Sequence, residues 1–415
     1  MCSTSRVSWN QIRSKFDKIR QLWSDEEPRG DCFWLLDLIT LIGGNKGATT
    51  SRFKGRHYIR FLSNSLFAYQ GFVFLLQVIH SLHNHKDDVA LVVFEVLKLF
   101  IYLVSVSKMV VFAHLRKPIA TIRDFVIGNS VNSGSTDFDE FEQRNFNHYA
   151  RTTMKLSIGL MLVNFVAFSV PNSVTEKALG LPPLLQGFGQ PTSSILRCLA
   201  VNFMPFGIVS RFFTNFTTVV ALLLGMRAKL RMLAYRYAQI LVHSRIDADY
   251  TLALINRDIR ETLNQQLEYW RVLHDLKHLV GNMFFLVHYS SIFTVGAFMF
   301  IAQHTGVNIF SATLASGATF FLLEHYFQCR LIDTLQDEVN SISYVIYELC
   351  AKLPYSRTAN RSEYVQMRSS LMIISMNTSG GVSMSCFGIS NISTLTFVDL
   401  AHTAYIVLTF FISIG

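Results

Sequence analysis

Seven stretches of this chain each carry about twenty predominantly apolar residues, the length a helix needs to cross a bilayer. They lie at 57–82, 89–113, 152–172, 198–224, 279–303, 308–329 and 393–414. Inside hydrocarbon a backbone must satisfy its own hydrogen bonds, so such runs fold as helices. Composition agrees: 50% of the residues are hydrophobic and 16% are charged, against about 25% charged in soluble domains. The expected fold class is all-α, a seven-transmembrane-helix membrane protein, with 1–415 as a single integral membrane domain. Asn164 and Pro171 interrupt the third run, and Asp399 and His402 the seventh. Such residues are tolerated where helices face one another rather than lipid.

Lys and Arg set the threading. The segment 1–56 and the second, fourth and sixth connections hold 29 of the 37 basic residues, whereas the first, third and fifth hold three. Cytoplasmic loops are the basic ones, which predicts a cytosolic N-terminus and an extracellular C-terminus. The polar opening "MCSTSRVSWNQIRSKFDKIRQ" has no signal-peptide apolar core. The closing "LAHTAYIVLTFFISIG" has no polar tail, so the last helix is expected to finish at the outer lip of the membrane. This threading is the reverse of a G-protein-coupled receptor, which leaves that signalling class as an alternative of the opposite orientation. With this threading the sequons at Asn215, Asn360, Asn377 and Asn391 lie in the membrane, the cytosol or its edge, and none is expected to carry glycan.

Two long connections, 225–278 and 330–392, are patterned as helices. Met226, Leu230, Leu233, Tyr237 and Ile240 share one face. So do Ile255, Ile259, Leu263, Leu267, Trp270 and Leu273, and then Leu331, Leu335, Val339, Ile342 and Leu349. An amphipathic stripe must be buried somewhere. These cytosolic helical extensions therefore pack between subunits or, alternatively, form a cap within one chain.

No chemistry of catalysis or metal binding is legible. "GGNKGATTS" lacks P-loop spacing, and the six cysteines (2, 32, 198, 329, 350, 386) show no zinc or redox spacing. No enzymatic activity, cofactor or metal is expected, and no compact basic patch points to nucleic acid. His80, His83 and His85 crowd the first outer loop. They make either a hydrated loop or a metal or proton sensor.

The carboxyl third carries a denser pattern. It combines Cys329, Ser341, Tyr344, Leu353-Pro354, Arg368-Ser369, Gly380-Gly381 and Tyr405. That series resembles the signature region of insect odorant receptors. "CAK" replaces the usual aromatic before Leu-Pro, "SLM" replaces Gln-Lys-Pro after Arg-Ser, and the final helix lacks the Gln-Phe common in gustatory receptors. The fourth connection is shorter than in the co-receptor subunits of that family. The resemblance therefore implies a ligand-tuning subunit of an odorant-gated, non-selective cation channel. It implies assembly with olfactory co-receptor copies into a heterotetramer, in the plasma membrane of a sensory neuron dendrite, with 393–414 lining the pore. A self-assembling gustatory-type channel is the second alternative.

Within that frame Tyr405, Leu408, Thr409 and Ile412 fall on one helical face. They form either a pore with an apolar gate at Leu408 and Ile412 or a packing stripe. Asp399 either attracts permeating cations or satisfies His402. Small apolar odorants need an aromatic cavity with few polar anchors. The candidates are Phe94, Asn164, Phe165, Phe168, Met204, Phe206, Phe212 and Phe320. Glu95 and Lys98 pair on one helix face, and one of them alternatively lines a polar corner of the pocket.

Overall fold

The computed structural model describes residues 32–46, 55–84, 89–170, 179–246, 252–353, 361–379, 383–386, 388 and 390–414. Apart from a two-residue hairpin pairing Ser385–Cys386 with Ser390–Asn391, the regular structure there is helical. A short buried helix, α1 (Phe33–Ile42), precedes three long elements. These are α2 (Arg56–Asn84), α3 (Val89–His114) and, after α4 (Arg116–Ile127), α5 (Thr136–Ser169). Next come α6 (Pro183–Gln186), α7 (Gln190–Ala200), a π-helical turn (Pro205–Val209) and α8 (Ser210–Ile246). The chain closes with α9 (Leu252–His304), α10 (Ile309–Lys352), α11 (Arg361–Ser379) and α12 (Thr394–Ile414).

Six helical stretches among the described residues are long and apolar enough to cross a membrane: Arg56–His83, Ala90–His114, Thr136–Ser169, Gln190–Ser244, Leu252–His304 and Thr394–Ile414. The sixth predicted run, 308–329, is helical as the first half of α10. It is less apolar because it holds Glu324 and His325, both fully buried. Two predicted boundaries change. The third run begins its helix at Thr136, and the fourth, 198–224, is broken rather than continuous. Pro205 has no N–H to donate and cannot continue a regular helix. Hydrogen bonding there widens into the π turn.

Helix α9 has 53 residues, about 80 Å at 1.5 Å per residue, more than twice the ~30 Å hydrocarbon core. It and α10 therefore project well beyond a bilayer and pack there against α8 and α11. The stripe Met226, Leu230, Leu233, Tyr237, Ile240 is buried, as are Leu335, Val339, Ile342 and Leu349. All belong to one core formed within the chain, so the cap alternative describes how these stripes are covered. In α9 the phase differs from expectation. Leu267 is exposed, while Thr262, Gln266 and Tyr269 turn inward.

A polar network explains the inward turn of Gln266. Tyr237 donates to Gln266 at 2.6 Å, and Gln266 donates to Thr378 of α11 at 3.0 Å. The Tyr237 hydroxyl and the Gln266 amide thereby find partners. Ser343 and Ser375 tie α10 to α11 by reciprocal hydroxyl-to-carbonyl bonds of 3.0 and 3.1 Å. Arg227 and Arg231 of α8 both reach Glu338 of α10, at 3.1 and 2.7 Å.

Candidate functional site

A second core lies at the other end of the bundle and surrounds a cavity of about 150 Å³. Its walls come from α2 (Phe74), α3 (Phe94, Lys98, Ile101), α5 (Leu160, Asn164, Phe168) and the π turn with α8 (Met204, Ile208, Phe212, Phe213). α9 adds Phe298, and α10 adds Phe310, Thr313, Leu314, Gly317, Phe320 and Phe321. Helix α10 presents a continuous wall because Phe310, Leu314, Gly317 and Phe321 recur at helical spacing. Its start is fixed by a capping box. The Asn308 side chain accepts from the Ser311 N–H at 2.8 Å, and the Asn308 N–H donates to Ser311 Oγ at 3.0 Å. At Gly317 a Cβ would stand 3.0 Å from the Phe298 ring, so the missing side chain leaves part of the space open.

Six of the eight pocket candidates line this cavity: Phe94, Asn164, Phe168, Met204, Phe212 and Phe320. Phe165 and Phe206 do not. They meet edge to face at 5.5 Å, with Phe203 beside them, in a neighbouring aromatic cluster. Phe165 is one residue from Asn164 and so rotated about 100° from it around α5. Phe74, Ile208, Phe213, Phe310 and Phe321 were missed, although the 310–321 spacing on α10 was readable.

The polar groups around the cavity are held in place. Lys98 is buried, 2.8 Å from Glu95 and 2.9 Å from Gln77 Oε1, with its ammonium 4.8 Å from the Phe94 ring centre. Both sequence readings of Glu95 and Lys98 thus describe the geometry: they pair, and Lys98 lines the cavity. Thr313 and Asn164 each donate to a carbonyl of their own helix, at 2.9 and 2.8 Å. Arg211, fully buried, binds the Gly207 carbonyl of the π turn and the Asn64 side chain at 2.9 Å, and lies 3.8 Å over the Phe67 ring. It anchors the turn to α2. At Gly207 a Cβ would overlap the Gln70 side-chain amide of α2 at 1.9 Å, so any larger residue there must displace that amide.

Beneath the cavity Lys108 and Glu324 form a buried ion pair at 3.5 Å, with Lys108 4.1 Å below the Phe212 ring. His325 follows, 3.4 Å from His288 and packed on Phe284. Just over two turns further along α10, Asp333 accepts from the Thr394 N–H at 2.9 Å and from the Thr394 hydroxyl. It thereby caps the first turn of α12.

Helix α12 buries Leu400 and Ala404 and sets Phe411 against Phe293 and Phe300 of α9. Tyr405, Thr409 and Ile412 are exposed on the opposite face, with Asp399 and His402 nearer its start. Leu408 is half-buried against the second core, between the two faces. Among the described residues no ion pair joins Asp399 to His402. His80 and His83 belong to no metal-holding group of side chains among the described residues, and His85, Asn360, Pro354 and the Gly380-Gly381 pair lie outside them.

No protein-family model matches the sequence, and no curated protein sequence matches it. Solved structures do. The insect olfactory receptor OR5 from Machilis hrabei superposes with a TM-score of 0.65 at 14% identity, over 91% of this chain and 96% of that one. The same receptor in complex with eugenol gives 0.70 at 11% identity, over 92% and 98%. Over nearly its whole length, this chain has the fold of an insect olfactory receptor.

Proposed function

We propose that this chain is the odorant-binding subunit of a ligand-gated, non-selective cation channel in the plasma membrane of a sensory neuron dendrite. It assembles with olfactory co-receptor copies into a heterotetramer around a pore lined by α12. The N-terminus is cytosolic and the C-terminus extracellular. The cavity takes a small apolar ligand, and residues 225–278 and 330–392 anchor the subunit on the cytosolic side. The observation that carries this reading is the pairing of an apolar, aromatic-walled cavity with a helix whose outer face, Tyr405, Thr409 and Ile412, is left uncovered by the single chain. A likeness to a receptor solved with eugenol supports the same assignment.

The geometry offers a route from ligand to pore. Helix α10 carries the cavity wall at Phe310–Phe321 and the α12 cap at Asp333 on one rigid rod. A ligand that prefers one position of α10 shifts α12 by as much as that preference allows. Pore dilation then moves Ile412 and Leu408 apart and wets an apolar constriction, with Asp399 concentrating cations at its inner end.

Whole-cell recording with an odorant panel, with and without co-receptor and under G-protein block, tests the class. A fast inward current that needs the co-receptor and survives the block is the expected result. A response abolished by the block overturns the channel reading, and current from this chain alone replaces the tuning subunit with a self-assembling channel.

A further inference from the structure

We infer that Lys46, Arg56, Arg60 and Arg116 form a headgroup site for an anionic phospholipid of the inner leaflet, of the class that carries phosphate monoesters on an inositol ring. The leaflet rests on the threading proposed above, whereas the choice of lipid rests on these residues and their surroundings.

The hairpin of α2 and α3 brings the cations together. Arg211 binds Asn64 of α2 and Met109 of α3, each at 2.9 Å, so these two residues stand level. Arg56 comes eight residues before Asn64, and Arg116 seven after Met109, at the start of α4. Both therefore lie about 11 Å beyond that level at 1.5 Å per residue, with Arg60 between. The charges of Arg56 and Arg116 both act on Arg60. Arg116 also shares the wall of a small cavity with Lys46.

The cluster lacks a counter-charge. Helix α2 contains no Asp or Glu. The carboxylate of α1, Asp37, is taken by both terminal nitrogens of Arg123 at 2.7 and 3.2 Å. Asp124 lies more than two turns along α4 from Arg116. Among the described residues none of the four cationic side chains makes an ion pair or a hydrogen bond. Arg60 Nε is shielded from water and has no partner there either. Gathered like charges repel, and a shielded donor left unpaired is costly. An anion among them relieves both.

The surroundings make that anion a lipid. Tyr58, Phe61 and Leu62 are 83%, 74% and 70% exposed on the same turns of α2. A tyrosine suits the membrane interface, and Phe61 and Leu62 offer acyl chains an apolar surface that a free phosphate cannot use. Arg60 lays its apolar stem along this surface and turns its head to the interface. Guanidiniums take phosphate oxygens in pairs. Four cations match a polyphosphorylated headgroup better than the single net charge of phosphatidylserine, and such basic clusters at the cytosolic end of a span suit phosphoinositides.

The test is native mass spectrometry of the full chain released from micelles that each contain one lipid. The lipids are phosphatidylinositol 4,5-bisphosphate, phosphatidylserine and phosphatidylcholine, all dioleoyl, with soluble inositol 1,4,5-trisphosphate as the chain-free probe. The bisphosphate lipid should bind at least about tenfold tighter than the other three. The double variant Arg60→Gln/Arg116→Gln should weaken it about thirtyfold, the loss expected for two basic residues at a lipid surface. Arg260→Gln/Arg271→Gln, which removes two exposed arginines of α9, should leave it unchanged.

Equal binding of the bisphosphate lipid and phosphatidylcholine overturns the site. Equal loss in the two double variants overturns its assignment to this cluster, and trisphosphate binding as tight as the lipid's overturns the lipid as the source of phosphate. Micelles expose both ends of the chain, so the threading is read separately. Labelling of Lys117→Cys above the wild-type background by an impermeant maleimide on intact cells puts the cluster outside and overturns the inner leaflet. The wild-type lipid series decides the matter even if a variant does not fold.

Discussion

The buried Lys108–Glu324 pair makes a quantitative prediction. At 3.5 Å the two charges attract by about 5 kcal/mol at an effective dielectric of ~20. Desolvation of both ions offsets most of that, so the pair adds little net stability, whereas breaking it is costly. Lys108→Met leaves the Glu324 carboxylate unmatched, with Oε2 already lacking a partner among the described residues. The expected loss is about 3–5 kcal/mol. Glu324→Leu leaves Lys108 over the Phe212 face, and that contact recovers up to about 2 kcal/mol. The double variant Lys108→Met/Glu324→Leu replaces the pair by apolar volume and should lie within about 1 kcal/mol of wild type or above it. Unfolding of the purified chain by SDS in mixed micelles, followed by tryptophan fluorescence, measures the cycle. Losses that simply add, to within about 0.5 kcal/mol, would show that the two charges do not depend on each other and refute the reasoning.

Two further perturbations test the site. Gly317→Leu puts a side chain into the space beside Phe298; the channel should reach the cell surface normally yet lose its odorant response in whole-cell recording. A response of unchanged size would place the ligand elsewhere. Asp333→Ala removes the α12 cap and should cost about 1 kcal/mol. If that cap holds α12 closed, current without odorant rises; unchanged basal current and unchanged odorant sensitivity would remove α10–α12 coupling through this bond.

The long apolar runs and the phenylalanines of the fourth segment were legible because membrane length and aromatic content are local properties. Phe94, Asn164, Phe168, Met204, Phe212 and Phe320 meet at one cavity, but Phe165 shows the limit. A hydrophobic residue in an all-apolar helix carries no phase information, and one residue of offset turns it to another neighbour. The α9 stripe was misphased for the converse reason. Gln266 is polar by type yet buried, because Tyr237 and Thr378 satisfy it from two other helices. Partners about 30 and 110 residues away cannot be read from a helical wheel. The break at Pro205 was invisible to a hydropathy window, which averages over side chains and ignores the missing N–H. Lys108 and Glu324 were each readable as odd charges in or beside a span, but not as each other's partner.

The π turn at Pro205–Val209 has a geometrical consequence for the cavity wall. Met204, Ile208 and Phe212 all line it at intervals of four residues. In a straight α-helix each such step overshoots a full turn by about 40°, so Met204 and Phe212 would point about 80° apart. The wider turn between them takes up part of that overshoot and returns the two side chains to one wall. Backbone register thus contributes to the shape of the pocket alongside the side chains themselves. A change at Pro205 or Gly207 that tightens the turn rotates Met204 out of line and redraws the pocket without altering any residue that touches its interior.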